Sequence, residues 1–566
     1  MPRFVVGSDV CIRATGCVGK VVLENGHACK VCGRWFLVDE LEVMSPGTAD
    51  NRYTSLSFAD ARPGKTVVCR SWLLEQSRGH PKDHYELLQE LGRGAFGVVH
   101  LVRPLNGAAN LVCKVVDKRH ACGDGMTDDA IKSFQDEIQL LRDLDHPNVN
   151  RLVEHYEDYK NLYMILGYAS GGDLVELICW ADFDVSESFL ANVFRQVLEA
   201  TAYCHGKHII HKDLKPDNIM FLTKDYEHPH VVVIDFGAAE LYNKRTNRFA
   251  GTPGYIAPEV WQAVVSSGQF GPKCDIYSIG AMLFYCLSEA ELPWFQADTS
   301  GDLQKHAKRS LFLFKTRSVR KEFDGVFQGS GEARDLAVKM LAHGESERLN
   351  AEQCLQHSWL HCQSAPGLIS KRVLNVLAKN ATKNNVKKRF LYEAAMQIPR
   401  YKIWHITSIF KLLDTDANGT LSIAEVAAGF HSLGMDFNVA EATAKSLDLD
   451  DNGVVEYTEF LAGLPEHCAM QFEEAVWTVF CKYDVDRSGY IDIAELREML
   501  QQGQADDLGQ VTSMEEARYF LSVVDRDGDQ QISFDELCSY LLSNAIGPGT
   551  GTLRKAVSGH PLGVSH

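Results

Sequence analysis

The apolar residues of the chain follow different patterns in its successive parts. Within residues 1–70, four short runs alternate apolar and polar residues or are rich in β-branched residues, which is typical of half-buried strands. These runs cover residues 9–14, 20–24, 27–32 and 35–40. Asn25-Gly26, between the second and third runs, is a strong signal for a two-residue hairpin turn. We therefore predict a small β-barrel-like domain of four or five strands in this part.

After a polar linker predicted over residues 71–84, the pattern changes from strand spacing to helix spacing. Strand-like runs come first between residues 85 and 361, and helical periodicity follows them. From residue 370 onward the pattern is helical, with short loops rich in Asp and Gly. Residues 546–566 show no apolar periodicity and are predicted to be disordered. The predicted fold class is therefore multidomain α+β, with a mixed domain followed by an all-α domain.

Composition narrows the class of protein. The chain has 566 residues, of which 45% are hydrophobic and 23% are charged, as in ordinary soluble globular proteins. Fibrous and wholly disordered classes are excluded, and the net charge of −18 argues against a nucleic-acid partner. No apolar run reaches the length of a membrane span. We expect a monomer.

The negative charge is concentrated in one part of the chain. Residues 411–540 contain 27 acidic and 7 basic residues, whereas residues 370–410 contain nine basic residues and one acidic residue. A charge run alone is typical of a solvated surface. Because two runs of opposite sign are adjacent here, an intramolecular contact between them is the favoured interpretation.

The sixteen cysteines are scattered singly, and no apolar signal segment follows the N-terminus, so an intracellular, cytoplasmic location is expected. Because Pro2 and not glycine stands at the second position, we expect no N-terminal myristoylation. Cys11, Cys17, Cys29 and Cys32 invite comparison with a zinc site, but their spacing fits no strong template. We interpret them as small hydrophobic residues of the N-terminal sheet.

A glycine-rich loop suggests phosphate binding. Gly92, Gly94 and Gly97 form a G-x-G-x-x-G-x-V pattern between two apolar runs, and small residues let backbone amides approach phosphate oxygens closely. Such a loop alone is often only a turn. Lys114 follows a predicted strand and Glu137 lies on the next helix. Separately these are ordinary surface charges, but together they suit a lysine that holds nucleotide phosphates and is oriented by a carboxylate.

Further along, four residues have the chemistry of phosphoryl transfer. Asp213 can accept the proton of a substrate hydroxyl, and Lys215 can neutralise the transferring group. Asn218 offers an amide oxygen to a metal ion, and Asp235, in Asp-Phe-Gly after a short strand, is a hard carboxylate suited to Mg²⁺.

This ordered set resembles the eukaryotic protein kinases over residues 85–361, where Glu259 of Ala-Pro-Glu needs a buried cation, for which Arg348 is the candidate. The resemblance implies a bilobal fold, the cofactors ATP and Mg²⁺, and phosphorylation of protein serine or threonine. It implies a gatekeeper at Leu166, a hinge over 167–169 and a cap on the phosphates at Phe96. The nucleotide-binding residues implied are Leu91, Gly92, Gly94, Phe96, Gly97, Val99, Val112, Lys114, Leu166, Gly167, Ala169 and Asp173.

Two residues depart from the family pattern. Lys212 stands where an arginine usually clamps a phosphorylated activation loop, and lysine cannot form that bidentate contact. Activation-loop phosphorylation is therefore not the expected main switch, although Thr246 is an available acceptor. Val112 replaces the usual alanine and would tighten the adenine pocket. The competing hypothesis, a pseudokinase scaffold, predicts loss of a catalytic residue, and none is lost.

Four loops carry the oxygen ligands of calcium at positions 1, 3, 5, 7, 9 and 12, each between helix-periodic stretches. They resemble EF-hands and form two pairs, and their eighth residues are apolar, which suits a short β-bridge within each pair. In the fourth loop Gln530 replaces the turn glycine, which predicts positive φ at a cost of about 1 kcal/mol. The expected ligands are Asp414, Asp416, Asn418, Thr420, Ser422 and Glu425; Asp448, Asp450, Asn452, Val454, Glu456 and Glu459; Asp484, Asp486, Ser488, Tyr490, Asp492 and Glu495; Asp525, Asp527, Asp529, Gln531, Ser533 and Glu536.

The segment between kinase and EF-hands, residues 362–410, contains a predicted basic amphipathic helix over 370–398. Its apolar face would comprise Val373, Leu377, Phe390, Leu391, Ala394 and Ile398, and its basic faces Lys371, Arg372, Lys379, Lys383, Lys387, Lys388 and Arg389. Such a helix suits a calmodulin-like lobe, although a plain helical linker is the simpler alternative.

Taken in order, a kinase domain, a basic junction and four EF-hands over 411–545 resemble the calcium-dependent protein kinases of plants and protists. The resemblance implies that calcium lets the EF-hands bind the junction helix, which relieves a block of the substrate groove or braces the active kinase. It implies protein substrates, and Asp173 and Asp217 favour basic residues near the phosphosite. The alternative from another class is a calcium-sensing scaffold whose kinase fold is inactive.

Overall fold

The computed structural model describes backbone strands between residues 9 and 43, the region 74–361 and the region 385–542, each with gaps. The larger gaps are 119–126, 181–184, 293–302, 320–322 and 502–506; single residues and short runs are also omitted, among them 95–96, 243–245 and 466–468. Residues 1–66 and 67–566 form two compact units. No helix among the described residues is both long and apolar enough to cross a membrane.

The first unit is a five-stranded antiparallel sheet in which the last strand returns to pair with the first. The strand order is β4-β3-β2-β1-β5, and Asn25 pairs with Ala28 across the hairpin predicted from Asn-Gly. Strand content is confirmed, whereas closure into a barrel stays a prediction. The strands are β1 (Asp9–Ile12), β2 (Val18–Asn25), β3 (Ala28–Val31), β4 (Arg34–Leu37) and β5 (Leu41–Val43).

The second unit begins with the smaller lobe of the predicted kinase domain, a five-stranded antiparallel sheet in the order β6-β7-β8-β10-β9. The residues of the predicted linker join this lobe: Leu74 is fully buried, and the His80 ring bonds to the Tyr163 hydroxyl at 3.0 Å. Helix α1 (Thr127–Asp143) follows the third strand of the sheet. The strands are β6 (Tyr85–Gly94), β7 (Gly97–Pro104), β8 (Leu111–Asp117), β9 (Leu152–Glu157) and β10 (Asn161–Gly167).

The larger lobe of the kinase is mainly helical. Short strand pairs hold its loops, in the pairings β11–β14 and β12–β13: β11 (Ile209–Ile210), β12 (Ile219–Phe221), β13 (Val231–Val233) and β14 (Glu240–Leu241). Its central helices, α3 and α5, are buried along most of their length. The helices are α2 (Leu174–Trp180), α3 (Glu187–Gly206), α4 (Pro258–Ser266), α5 (Lys273–Cys286), α6 (Leu303–Thr316), α7 (Gly331–Met340), α8 (Ala351–Leu355) and α9 (Ser358–His361).

Of the predicted junction helix, residues 370–384 lie outside the described residues, and α10 (Asn385–Gln397) is its described part. Phe390, Leu391 and Ala394 are buried as predicted, but Arg389, expected on an exposed basic face, is buried as well. Its guanidinium reaches the Glu393 carboxylate one turn later at 3.2 Å, and Glu393 also accepts from the Tyr483 hydroxyl. The EF-hand helices thus enclose this helix on its polar side as well. Burial of that side is possible because its charges are paired.

The rest of the chain forms four helix–loop–helix units. The loops pair through β15 (Leu421–Ser422) with β16 (Val454–Val455), and β17 (Tyr490–Ile491) with β18 (Ile532–Ser533). The eighth loop residues therefore meet in pairs, as predicted. The helices are α11 (Trp404–Leu413), α12 (Ile423–Ser432), α13 (Phe437–Leu447), α14 (Tyr457–Ala462), α15 (Ala469–Tyr483), α16 (Ile493–Gln501), α17 (Asp507–Val524) and α18 (Phe534–Leu541).

Candidate active site and calcium-binding loops

The glycine loop is the hairpin between β6 and β7. Gly94 and Gly97 pair at its tip, and Phe96 lies outside the described residues. Gly97 has φ of +150°, and a Cβ there would lie 2.1 Å from the carbonyl oxygen of Val115. Only glycine fits at this position, because the backbone of β7 passes directly against the Val115 carbonyl of β8.

Lys114 lies between two carboxylates contributed by distant segments. Its Nζ donates to Glu137 Oε2 at 2.8 Å and lies 3.1 Å from Asp235 Oδ1. Burial opposes the positive charge, but the carboxylates of Glu137 and Asp235 outweigh it and raise the pKa of Lys114. The ammonium is thus permanently charged and fixed at the cleft, as a group that binds phosphate must be.

The predicted adenine pocket brings together side chains of both lobes. Val112 faces Leu166 across the β8–β10 pair, and Val99 faces Lys114 across β7–β8. Leu91 is 40% exposed, and Gly167 ends β10.

On the side of the larger lobe, Ala169 belongs to a small apolar cluster with Met220 and Ile234 packed against it. No pattern in the sequence marks Met220 and Ile234, although each lies one or two residues from an assigned metal ligand.

The catalytic loop holds Asp213 beside a threonine that the sequence analysis did not identify. Thr252 Oγ1 donates to Asp213 Oδ1 at 2.6 Å, and Lys215 Nζ donates to Thr252 Oγ1 at 3.0 Å. Asn218 Nδ2 donates to the carbonyl of Asp213 at 2.8 Å. These bonds fix the carboxylate, the ammonium and the amide on one side of the cleft.

A buried carboxylate supports this loop from below. Asp275 accepts bonds from the backbone amides of His211 and Lys212, and it contacts the ring of His205 at 2.9 Å. Burial opposes ionisation, but the bond from His205 and nearby histidines prevail and lower the pKa of Asp275. This residue was also missed, because its role depends on chain segments more than sixty residues apart.

The unusual Lys212 has a carboxylate partner within the chain. Its buried Nζ donates to Glu240 Oε2 at 2.7 Å, and Thr246 Oγ1 donates to Glu240 Oε1 at 2.7 Å. The activation segment is therefore tied to the catalytic loop without a phosphate. Thr246 is itself buried, which fits the expectation that its phosphorylation is not the main switch.

The predicted cation for Glu259 is the one found. Arg348 is fully buried and binds Glu259 in bidentate fashion, with Nη2 to Oε2 at 3.0 Å.

Asp173 accepts from the amide of Glu176 at 2.8 Å, and burial with the nearby charges of Glu176 and Asp217 raises its pKa. A cluster of three carboxylates therefore lines this edge of the cleft.

The donor set of the active site fits Mg²⁺. The Asp235 side chain is 47% exposed, and because the Asn218 side chain donates through Nδ2 to the Asp213 carbonyl, its Oδ1 can accept or bind a cation. Carboxylate and amide oxygens are ligands that Mg²⁺ prefers, and the ion would neutralise charge on bound phosphates.

The four loops have the geometry that calcium requires. In each loop three carboxylates offer oxygens within 4.8 Å of one another, and the first aspartate accepts from the amide of position six. Burial and the neighbouring charges of Asp416 and Glu425 raise the pKa of Asp414 to about 7. A cation would relieve this repulsion. The ligand sets predicted above therefore fit calcium.

The fourth loop compensates for its missing glycine. Gln530 has φ of +64°, as predicted, but Gly528 takes up the left-handed conformation two residues earlier, with φ of +81°. The other loops have the reverse arrangement: Ala417, Asp451 and Arg487 stand at that earlier position with φ of 55–58°. Every loop thus contains one glycine and one strained residue, so the fourth loop is no more strained than the others.

The EF-hands contact the kinase through the end of the junction. The buried guanidinium of Arg400 donates to the carbonyls of His146, Pro147 and Val149, which lie in the segment between α1 and β9. Lys411 on α11 forms an ion pair with Glu199 on α3. The sequence does not reveal this role of Arg400, because backbone carbonyls as partners leave no pattern in it.

Comparisons with known proteins agree with this geometry. Residues 85–360 match the protein kinase domain family, and residues 405–464 and 473–542 match the EF-hand domain pair family. Calcium-dependent protein kinase 17 of Arabidopsis thaliana is 30% identical over 81% of this chain and 84% of its own length. Calcium-dependent protein kinase 20 of Oryza sativa subsp. japonica is 32% identical over 81% and 80%, and calcium-dependent protein kinase 5 of Plasmodium falciparum (isolate 3D7) 29% over 80% and 77%.

The matches extend across the kinase domain and the EF-hands in the same order as the two structural modules. With the ATP–Mg²⁺ site and four calcium loops both present, this chain belongs to the calcium-dependent protein kinases and is a calcium-activated serine/threonine kinase.

Proposed function

We propose that Asp213 accepts the proton of the substrate hydroxyl while Lys215 and Lys114 neutralise the phosphates of ATP. Glu137 orients Lys114, and Asn218 with Asp235 would hold Mg²⁺. The bond from Thr252 to Asp213 occupies the oxygen that a substrate serine or threonine would contact, which supports this assignment. An Asp213→Asn variant should bind ATP normally but lose peptide phosphorylation.

We propose further that calcium activates the kinase mainly by bracing it. The observation that carries this proposal is the set of three bonds from Arg400 to the segment between α1 and β9. Helix α1 carries Glu137, so a fixed segment at its end keeps Glu137 beside Lys114. The junction helix α10 is enclosed by EF-hand helices, which is the arrangement expected when the module supports the kinase.

Truncation after Leu360 separates bracing from relief of a block. Bracing predicts that the truncated kinase has low activity that calcium does not raise, whereas a simple block predicts high, calcium-independent activity. In the full chain, Arg400→Met should lower the maximal calcium-stimulated activity at least tenfold. Arg334→Met, at the partly exposed ion pair with Asp324, removes the same charge elsewhere and should leave this activity unchanged. High activity of the truncated kinase would overturn the bracing proposal.

We propose basic protein substrates, because Asp173, Glu176 and Asp217 place three carboxylates at one edge of the cleft. Peptides with arginine before the phosphosite should have a lower KM than matched peptides with alanine. Asp217→Asn should reduce this difference.

A cytoplasmic location is supported by the free thiols at all seven cysteines whose side chains the structure describes. We propose that the chain acts as a monomer, which light scattering after gel filtration tests.

A further inference from the structure

Two calcium loops lie directly on one surface of the kinase domain. We call this surface, formed by Asp145, His146, Tyr203 and Lys207, the docking patch. The rings of His146 and Tyr203 are stacked at 5.1 Å, and the amide of Asp145 donates to the Tyr203 hydroxyl at 2.8 Å. Asp145, His146 and Tyr203 are almost fully buried, so the patch is rigid.

The second loop makes the polar contacts with this patch. Lys207 Nζ donates to Glu456 Oε1 at 2.7 Å. Asp145 accepts from the Thr458 amide at 2.7 Å and from the Thr458 hydroxyl at 2.9 Å. Glu456 and Thr458 are buried, 7% and 5% exposed. They occupy positions 9 and 11 of the loop, immediately before the position-12 ligand Glu459.

We propose that the second calcium loop is a composite site: Lys207 and Asp145 of the kinase domain hold its exit turn in the calcium-binding geometry. This proposal depends on the proposed calcium activation in one respect: it requires that the EF-hands be docked on the kinase domain. It assigns to two kinase residues a part in calcium affinity that the loop pattern alone does not reveal.

The sign of the effect follows from which parts of the loop are held. Position 9 often binds calcium through a water molecule, so Lys207 can hold Oε1 of Glu456 without replacing a direct ligand. Asp145 fixes the first turn of α14, which carries Glu459. A loop that is ordered before the ion arrives loses less conformational freedom on binding. The charge of Lys207 acts in the opposite direction, because it neutralises one carboxylate of the loop.

Three hydrogen bonds hold buried groups of the loop. We therefore expect the gain in calcium affinity from positioning to exceed the loss caused by the charge of Lys207. By reciprocity, calcium in this loop must then strengthen docking by the same factor. Lys207 directly follows α3, and the chain continues through β11 into the catalytic loop. His205, two residues before Lys207, contacts the Asp275 carboxylate that holds that loop. Calcium binding in the second loop is therefore coupled to the position of the segment that carries Asp213.

The test measures calcium binding in the full chain without any assay of activity. Glu425→Gln, Glu495→Gln and Glu536→Gln together disable the other three loops, and calorimetry then reports the Kd of the second loop. On this background, Lys207→Met and Asp145→Asn should each weaken calcium binding on the order of tenfold. Lys207→Arg should restore most of the affinity. Lys339→Met, at an exposed pair with Asp335, removes the same charge elsewhere and should change nothing.

Unchanged affinity in both patch variants would overturn the proposal, provided that circular dichroism shows each variant folded. Tighter binding in Lys207→Met would also overturn it, because the lysine would then act only by charge. If calcium affinity is unchanged while Arg400→Met still lowers the calcium-stimulated activity at least tenfold, the composite site fails and bracing survives. If affinity falls as expected while truncation gives full activity, bracing fails and the composite site survives.

Discussion

Gly419 offers a sensitive test of whether the first calcium loop rests on the kinase in the active enzyme. Its φ is +81°, and an added Cβ would lie 2.6 Å from His146 Cδ2 and 2.8 Å from Tyr203 Cδ2. Gly489 occupies the same position in the third loop with φ of +85°, and no atom lies within 4 Å of its Cβ position. Alanine substitutions at these two glycines therefore distinguish backbone strain, which both share, from contact with the kinase, which only Gly419 has.

The expected magnitudes differ accordingly. Alanine in the left-handed region costs about 1–2 kcal/mol, which applies to both variants. Overpacking against rigid buried groups adds about 1–3 kcal/mol in Gly419→Ala alone, because the two stacked rings cannot move aside. Since about 1.4 kcal/mol is tenfold, docking of the first loop should weaken by about 5- to 150-fold more than strain alone explains.

Peptide phosphorylation titrated with free calcium distinguishes the two effects. Gly489→Ala should shift the half-activating calcium concentration upward and leave the plateau unchanged. Gly419→Ala should lower the plateau as well, because saturating calcium cannot restore a contact that a side chain obstructs. Equal shifts with equal plateaus in the two variants would refute the reasoning, and would mean that the first loop leaves the kinase when the enzyme is active.

Three further outcomes are expected. Glu240→Gln leaves the buried Lys212 ammonium without a carboxylate and should lower kcat at least tenfold. Thr246→Val should keep more than half of the original kcat. Equal losses of kcat in the two variants would instead indicate phosphorylation of Thr246. Burial lowers the pKa of His155 to about 4, so the folded protein excludes a proton that the unfolded chain binds below pH 6.5. Stability should fall between pH 7 and 5, and His155→Gln should flatten this loss by about 2 kcal/mol in urea unfolding. Gln530→Gly relieves about 1 kcal/mol of strain and should tighten calcium binding at the fourth loop about fivefold by calorimetry; weaker binding would contradict this account.

The sequence indicates the candidate catalytic and calcium-binding residues because each lies in a short motif of its own; their roles stay predictions. Lys114 and Asp235 are 121 residues apart, yet each is recognisable from its neighbours, and the fold brings them within 3.1 Å. The same holds for the calcium loops, whose twelve residues contain their own ligands and turn.

What the sequence did not reveal depends on contacts between segments. Thr252 and Asp275 are single polar residues whose roles come from partners elsewhere in the chain. Arg400 binds backbone carbonyls, which every residue possesses. The sequence predicts an amphipathic helix here with Arg389 on a basic face, whereas the structure buries Arg389 beside Glu393 and Tyr483.

The ion pair between Lys212 and Glu240 also has a consequence for how the enzyme is switched off. A phosphate on an activation segment can be removed by a phosphatase, so its lifetime is set by a second enzyme. A glutamate side chain is permanent. A kinase whose activation segment is held by a glutamate keeps no phosphate mark after the calcium signal ends. Its activity should therefore decay at the rate at which calcium leaves the EF-hands.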